Sequence, residues 1–125
     1  MTIQRHNCTQ LDPPVGPYVH TVRHQQTLYT SGITAFGTPA QLGSISEQAE
    51  AIFAQLKLLA EQQQSDLSRL LKVTLFVSDL SDMQHLRDTL FKLYGEQLPA
   101  SSLVKVDSLF LPELLIEVEA IFALS

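Results

Sequence analysis

Two glutamates interrupt the last apolar stretch of the chain, which reads ELLIEVEAIF over residues 113–122. Because side chains alternate along a strand, Glu117 and Glu119 share one face with Ile121, and the apolar residues between them share the other. An acid in such a strand faces water at a sheet edge, pairs with a cation, or has its pKa raised by desolvation. The glutamates are therefore either solvent-facing or ion-paired, or they are carboxylates that line a pocket and activate water.

Other candidate groups give little support for metal or serine chemistry. His20 and His24 stand four residues apart on a predicted strand, which places them on one face and not in a chelating turn. Ser31 has no base at the spacing of a nucleophile elbow, so its hydroxyl and backbone N–H are better suited to hydrogen-bond a ligand carboxylate. We therefore predict no metal and no cofactor.

Length and composition predict a single domain over residues 1–125. Cys8 is the only cysteine, which rules out an intramolecular disulfide and a cysteine-rich metal site. The 8 basic residues do not cluster and the net charge is -5, so we expect no nucleic-acid partner. We see no apolar run typical of a signal peptide or a membrane span, and we expect a cytoplasmic protein with no membrane partner.

Turn residues and apolar spacing divide the first half of the chain into a lead-in, a hairpin and a helix. Residues 1–17 carry three prolines and are expected to be extended. YVHTVRHQQTLYTSG, residues 18–32, alternates around the polar centre RHQQ, which predicts two antiparallel strands. Residues 33–43 read as a loop, after which Ser44 and Glu47 form a capping-box pattern ahead of an apolar helical stripe.

The second half predicts one more helix and three strands. Ser81 and Gln84 repeat the capping pattern, and Gly95 is a plausible end for that helix. Strands are predicted on either side of it, over residues 69–77, 101–109 and 114–123. The predicted order is β-β-α-β-α-β-β, an α+β fold.

Two amphipathic helices cover only one face of a sheet of about five strands. The residues predicted for the other face are too apolar for bulk water. We therefore expect a homo-oligomer in which the uncovered faces meet.

Short motifs in a fixed order carry a resemblance to a known family. They are GPY, TSG, QAEAIFAQLK, LLKVTLFVSDLSDM, LPASSLVKV and IEVEA. Together, over residues 12–122, they resemble the RidA/YjgF family of imine and enamine deaminases, whose members are also labelled endoribonuclease L-PSP. The resemblance implies a chorismate-mutase-like fold with two helices on one face of a mixed sheet. It also implies a homotrimer with a central β-barrel and ligand clefts between its subunits.

The resemblance further implies a reaction and its residues. Active members of the family hydrolyse 2-imino and 2-enamino acids to 2-keto acids and ammonia. By position in the motifs, Glu117 would handle the water as the catalytic residue, and Tyr18 and Ser31 would line the substrate cleft. Such chemistry needs a cation for the substrate carboxylate, a polar group at the imine and an oriented water.

The motif that would supply the cation departs from the family pattern. Where the family has proline-alanine-arginine-serine, this chain has PASS, so Ser101 takes the arginine's place in the substrate-binding site. Leu103 replaces a cysteine two residues later, and Arg87 stands where the second helix usually has asparagine. A charge-assisted hydrogen bond contributes about 1.5–3 kcal/mol, and a bidentate pair contributes more. Loss of the arginine should therefore lower substrate affinity or reaction rate by at least about ten- to a hundredfold.

Three hypotheses follow. The chain is an imine or enamine deaminase whose clefts bind small carboxylate- or imine-type metabolites; a separate hypothesis is that Arg87 supplies the missing charge from the helix. Alternatively, the trimer binds or senses small molecules without catalysis. The alternative role of Arg87 is that of a surface arginine that pairs with Asp82, with Asp88 or with nothing. The third is a different hydrolytic or lyase step in the same cleft.

Overall fold

The computed structural model describes residues 2–124, so the two terminal residues of the predicted domain lie outside the described range. Its strands and helices are β1 Gln4–His6, β2 Thr21–His24, β3 Thr27–Thr30, α1 Ile45–Glu61, β4 Leu70–Val77, α2 Met83–Tyr94, β5 Ala100–Lys105 and β6 Ile116–Ala123. Within residues 2–124 the strands form one sheet in the order β1-β2-β3-β6-β4-β5, in which β4 and β5 pair in parallel and the other pairs are antiparallel. The predicted α+β class and the order β-β-α-β-α-β-β are confirmed from β2 onward.

The predicted order lacks strand β1. The lead-in, expected to be an extended segment, instead contributes this strand to the sheet. β1 pairs with β2, and Gln4 lies opposite Arg23 while His6 lies opposite Thr21. This strand has three residues, all polar and none fully buried. It therefore shows no apolar alternation, which is the signal that marks a strand in a sequence.

His20 fixes the path of the chain between β1 and β2. Its buried ring accepts a hydrogen bond from the Cys8 N–H at Nδ1, 2.9 Å away, and Nε2 lies 3.0 Å from the Asp12 carbonyl oxygen. Because a carbonyl only accepts, these partners place the proton on Nε2. The His20 N–H in turn donates to the Asn7 side chain. These bonds hold residues 7–12 against the sheet.

The first helix forms where the sequence predicts it. The Ser44 hydroxyl accepts from the Glu47 N–H and the Glu47 carboxylate accepts from the Ser44 N–H, so the capping box is complete. The predicted apolar stripe is buried throughout: Ala49, Ile52, Phe53, Leu56, Leu59 and Ala60. This helix covers the strands beneath it and supplies much of the core.

The start of the second helix differs from the prediction by one residue. Its N-cap is Asp82, which makes no side-chain capping bond. Ser81 instead donates its N–H to Asp79, and the Gln84 amide turns outward to Asp88. Local side-chain bonds therefore replace the predicted capping box. The helix does end at Gly95, whose positive φ of 63° suits glycine.

The two faces of the sheet are chemically different. On β6 the alternate residues Ile116, Val118, Ala120 and Phe122 are buried in the core. Glu117 and Glu119 point to the other face, as the alternation predicts, and there Glu117 is half-buried and Glu119 exposed. That face also carries half-buried or exposed apolar side chains at matching register: Val22, Tyr29, Phe76, Val104 and Ile121. No element of residues 2–124 covers it.

Candidate functional site

A cavity of about 850 Å³ opens beside β6. Its walls come from the segment before β2, from the loop that follows β3, from Gln55 on α1, and from Phe110 and Glu117. Small-molecule sites commonly have volumes of about 300–1,000 Å³. We take this cavity, called the β6 pocket below, as the candidate site.

Glu117 is the half-buried acid of the β6 pocket. Its carboxylate makes no hydrogen bond and no ion pair with any residue in the described range 2–124. Burial raises the pKa of Glu117 above its ordinary value of 4.5, and the nearby Glu119 carboxylate raises it further. A carboxylate with a raised pKa and no protein partner is suited to exchange a proton with a ligand or a water.

Gly32 leaves the space that the Glu117 carboxylate fills. A Cβ built on Gly32 would lie 2.9 Å from Cδ of Glu117 and closer still to its Oε2. Any side chain at position 32 would therefore displace the carboxylate. The close approach of the Glu117 carboxylate therefore explains why the TSG motif has a glycine. The φ of Gly32 lies outside the left-handed region, so its backbone conformation does not by itself require glycine.

Ser31 and Tyr18 line the β6 pocket together with Glu117. The Ser31 hydroxyl donates to the Val19 carbonyl at 2.6 Å, and its N–H donates to the His20 carbonyl at 3.0 Å. Both donors that we expected to bind a ligand carboxylate are therefore used within the chain, which corrects that expectation, and the hydroxyl keeps only acceptor capacity for a ligand. Tyr18 is 45% exposed, and its ring folds over Gly16, where a Cβ would lie 3.0 Å from the ring.

The mouth of the pocket is aromatic. Phe36, in the loop after β3, and Phe110, in the loop before β6, meet edge to face with ring centroids 5.1 Å apart. Both are substantially exposed, at 39% and 57%. The two rings come from loops that are far apart in sequence, so their contact depends on how those loops are anchored.

Gln48 on α1 anchors both loops. Its side chain is fully buried. The two N–H groups of the amide nitrogen are shared among three carbonyl acceptors, Glu113 at 2.8 Å and Gln41 and Gly43 at 3.2 Å. The amide oxygen accepts from the Leu115 N–H at 2.8 Å. One buried amide thus joins the loop that carries Phe36 to the loop that carries Phe110.

A second unpaired carboxylate lines the pocket. Asp12 Oδ2 lies 2.7 Å from the position that a Cβ on Gly37 would take, and Gly37 has a φ of 77°. Within the described residues the Asp12 carboxylate has no hydrogen bond or ion pair. No lysine or arginine of residues 2–124 lines the pocket. The one histidine there, His20, has both ring nitrogens bonded to the backbone.

Two predicted site residues do not line the β6 pocket of their own chain. Ser101 is exposed on β5, an edge strand that is exposed at every position. Arg87 is exposed on α2, where its guanidinium lies 3.4 Å from the Gln84 side-chain oxygen. The structure therefore brings together Glu117, Tyr18 and Ser31, and leaves Ser101 and Arg87 outside this lining. Their roles stay predictions.

Four residues of this site were not predicted from the sequence: Asp12, Phe36, Gln48 and Phe110. Asp12 and Phe36 lie in segments rich in proline and glycine, where no periodicity marks a functional side chain. Gln48 was the one polar residue among the apolar positions of the first helix, and this was a usable signal for a buried amide.

Two other kinds of feature are absent from the part of the chain that the structure describes. No group of three or more histidine, cysteine, aspartate or glutamate side chains there is arranged to hold a metal ion. No helix in that part is long and apolar enough to cross a membrane.

Curated relatives match over most of the chain. A 2-iminobutanoate/2-iminopropanoate deaminase from Dermatophagoides farinae is 28% identical over 113 residues, which cover 87% of this chain and 88% of that protein. The mitochondrial protein Mmf1 of Saccharomyces cerevisiae is 33% identical over 105 residues, which cover 81% of this chain and 72% of that protein.

Solved structures match over nearly the whole chain. The crystal structure of yeast Mmf1 has a TM-score of 0.88 at 30% identity and covers 99% of this chain and 100% of that one. A putative endoribonuclease from Thermotoga maritima has a TM-score of 0.84 at 27% identity and covers 96% of this chain and 97% of that one. The family profile described as Endoribonuclease L-PSP matches residues 9–124. The chain therefore belongs to the endoribonuclease L-PSP family, the RidA/YjgF family that its motifs resemble.

Proposed function

We propose that the chain hydrolyses the C=N bond of small imines, or of enamines through their imine form, in the β6 pocket. The observation that carries the proposal is Glu117, a half-buried and unpaired carboxylate of raised pKa in a cavity of ligand size. The relative from Dermatophagoides farinae that is named as an imine deaminase supports the same reaction at 28% identity.

The chemistry follows from the positions of the side chains. A water beside Glu117 attacks the imine carbon, and the carboxylate accepts the proton that the water loses. The carbinolamine that results has a C–O bond and a C–N single bond. Because the imine reacts in its protonated form, this carbinolamine is neutral. Glu117 then returns its proton to nitrogen and the C–N bond breaks with its electron pair on the departing ammonia. The carbonyl forms as the hydroxyl proton passes to that ammonia, so a carbonyl compound and ammonium leave and Glu117 is again a carboxylate. One water is consumed and no redox partner is needed.

The pocket is completed, in this proposal, by assembly of three copies. The uncovered sheet face presents apolar side chains such as Phe76 and Val104, and the edge strand β5 is exposed along its length. Burying both in a homotrimer would place β5, with Ser101, beside a neighbouring pocket. Because the chain carries a net charge of -5 and scattered basic residues, we propose no nucleic-acid partner. Light scattering on the purified protein tests the trimer, since a monomer at working concentration would contradict it.

A second candidate function is ligand binding without catalysis. It is favoured by the lack of any lysine or arginine among the described pocket-lining residues, and by serine at the position of the family's arginine. The described residues of one chain therefore offer no cation that could bind the carboxylate of a 2-imino acid. Binding with no release of product would distinguish this candidate from the first.

Release of ammonia from freshly generated imines tests the proposal. We expect the wild type to accelerate release from at least one imine in a panel that includes 2-iminobutanoate and imines without a carboxylate. Glu117→Gln should lose this acceleration while its circular dichroism spectrum is unchanged. Glu50→Gln, at an exposed position on α1, is the matched control and should keep it. Wild type without acceleration of any imine, or Glu117→Gln with full acceleration, would contradict the proposal.

A further inference from the structure

We infer that Thr30 is a positioning residue for Glu117, because its hydroxyl holds a β-bulge at the end of β3 that brings Gly32 against the Glu117 carboxylate. Thr30 is not among the described residues that line the β6 pocket, so it would act on the reaction only through Glu117. The inference rests on the proposed function and deepens it. Its evidence is a set of contacts between β3 and β6 within one chain.

The register between β3 and β6 changes by one residue beside the pocket. Tyr29 lies opposite Ile121, and the next bridge joins Ile33 to Val118 through two backbone hydrogen bonds of 2.8 and 3.0 Å. The two bridges are four residues apart along the β3 side and three residues apart along β6. One extra residue in one strand of an antiparallel pair is a β-bulge, a feature that redirects side chains next to active sites.

The bulge makes the alternation of side chains agree with their burial. Leu28 and Ile33 are both buried in the core, although their odd spacing would place them on opposite faces of a regular strand. The extra residue returns Ile33 to the core face, opposite the buried Val118. Toward β2 the register continues unchanged, since the Ser31 N–H donates to the His20 carbonyl at 3.0 Å. The bulge therefore belongs to the pairing of β3 with β6 alone.

The Thr30 side chain joins the two strands at the bulge. Its hydroxyl accepts a hydrogen bond from the Ala120 N–H at 3.0 Å and donates to the Ser31 carbonyl at 2.9 Å. Ala120 is buried, so its N–H would be left unsatisfied without this partner. The hydroxyl thus takes the place of a backbone carbonyl and fixes the path of the chain through the bulge.

The bulge reaches the Glu117 carboxylate through Gly32. This glycine directly precedes the bridge between Ile33 and Val118, and it packs against the Glu117 side chain, where a Cβ would lie 2.9 Å from Cδ. It therefore covers the carboxylate from water on this side. Burial is the main cause of the raised pKa of Glu117, and the Glu119 carboxylate is the second. The other titratable side chains of the pocket lie outside the bulge: Asp12, Tyr18 and His20.

Replacing Thr30 by valine tests the inference on the full chain, because valine keeps the branched shape and lacks the hydroxyl. We expect kcat for imine hydrolysis to fall by about ten- to a hundredfold while KM changes less than about twofold, as for a misplaced reacting group. Thr30→Ser keeps the hydroxyl and should retain most of kcat. Thr27→Val, the same replacement at the other end of β3, is the matched control and should leave kcat unchanged. An unchanged kcat in Thr30→Val would overturn the inference.

Titration of Glu117 gives a readout that needs no substrate. NMR of the isotope-labelled side-chain carboxyl carbon, assigned by its absence from Glu117→Gln, gives the pKa of Glu117 in each variant. Thr30→Val should move that pKa toward 4.5, because a relaxed bulge opens the carboxyl to water, while Thr30→Ser and Thr27→Val should keep the wild-type value. A wild-type pKa in Thr30→Val would also overturn the inference. If Thr30→Val does not fold, Thr30→Ala, which lacks the hydroxyl too, takes its place in both assays.

The outcomes separate this inference from the proposed function. A wild type that hydrolyses no imine would contradict the proposed function, and the pKa of Glu117 in Thr30→Val would then decide the inference by itself. Hydrolysis that depends on Glu117, with kcat and this pKa both unchanged in Thr30→Val, would support the proposed function and overturn the inference.

Discussion

Replacing Gln48 by leucine should destabilise the protein strongly although the side chains are of similar size. The amide makes two hydrogen bonds of 2.8 Å, one to the Glu113 carbonyl and one from the Leu115 N–H. Leucine leaves both backbone groups beside a fully buried apolar side chain. An unsatisfied buried group costs about 1–3 kcal/mol, so the two should lower the free energy of unfolding by about 2–6 kcal/mol.

The assay is urea unfolding followed by circular dichroism at one fixed protein concentration, because an oligomer's stability depends on concentration. Gln62→Leu, at the exposed C-cap of the same helix, is the control and should change the free energy of unfolding by less than about 0.5 kcal/mol. A decrease of less than about 1 kcal/mol in the free energy of unfolding of Gln48→Leu would refute the reasoning. It would mean that the two buried backbone groups do not need this amide as their hydrogen-bond partner.

Three other substitutions have expected outcomes. The folded-state pKa of Glu117 is raised, so its contribution to stability is present at low pH and is lost as pH rises through that pKa. Glu117→Gln should therefore be more stable than the wild type in denaturation at pH 7, with the difference vanishing below pH 4.5, and a variant less stable at pH 7 would contradict this. Gly32→Ala should displace the Glu117 carboxylate and lower kcat for ammonia release by about a hundredfold, and an unchanged kcat would show that the close approach is irrelevant. Tyr94→Phe should leave stability equal or raise it by about 1 kcal/mol in thermal denaturation, because its buried hydroxyl has no partner among the described residues, and a clear loss would mean that it has one.

Elements with strong local signals could be predicted from the sequence. The capping box at Ser44 and the glycine stop at Gly95 depend on side chains within a few residues, and both are confirmed. The three-residue strand β1 could not be predicted, because its pairing with β2 is long-range and its residues are polar. The strand predicted over residues 101–109 ends at Lys105, where the chain leaves β4 and enters the loop toward Phe110.

The candidate site was only partly accessible to sequence reasoning. Glu117 stood out because a charged residue in an apolar strand is energetically unusual, and the motifs added Tyr18 and Ser31. Asp12 and Phe110 lie 98 residues apart and approach the same cavity only through the folded loops. No periodicity or local spacing encodes such a contact.

The pH dependence of kcat/KM for imine hydrolysis, measured in parallel for the wild type and Glu117→Gln, tests the central claim most directly. If Glu117 accepts the proton from water, kcat/KM of the wild type should rise with pH, with a midpoint above 4.5. The variant should have a low kcat/KM that does not rise over the same pH range. A variant that keeps both the wild-type kcat/KM and its rise with pH would show that another group activates the water, and would contradict the proposed role of Glu117.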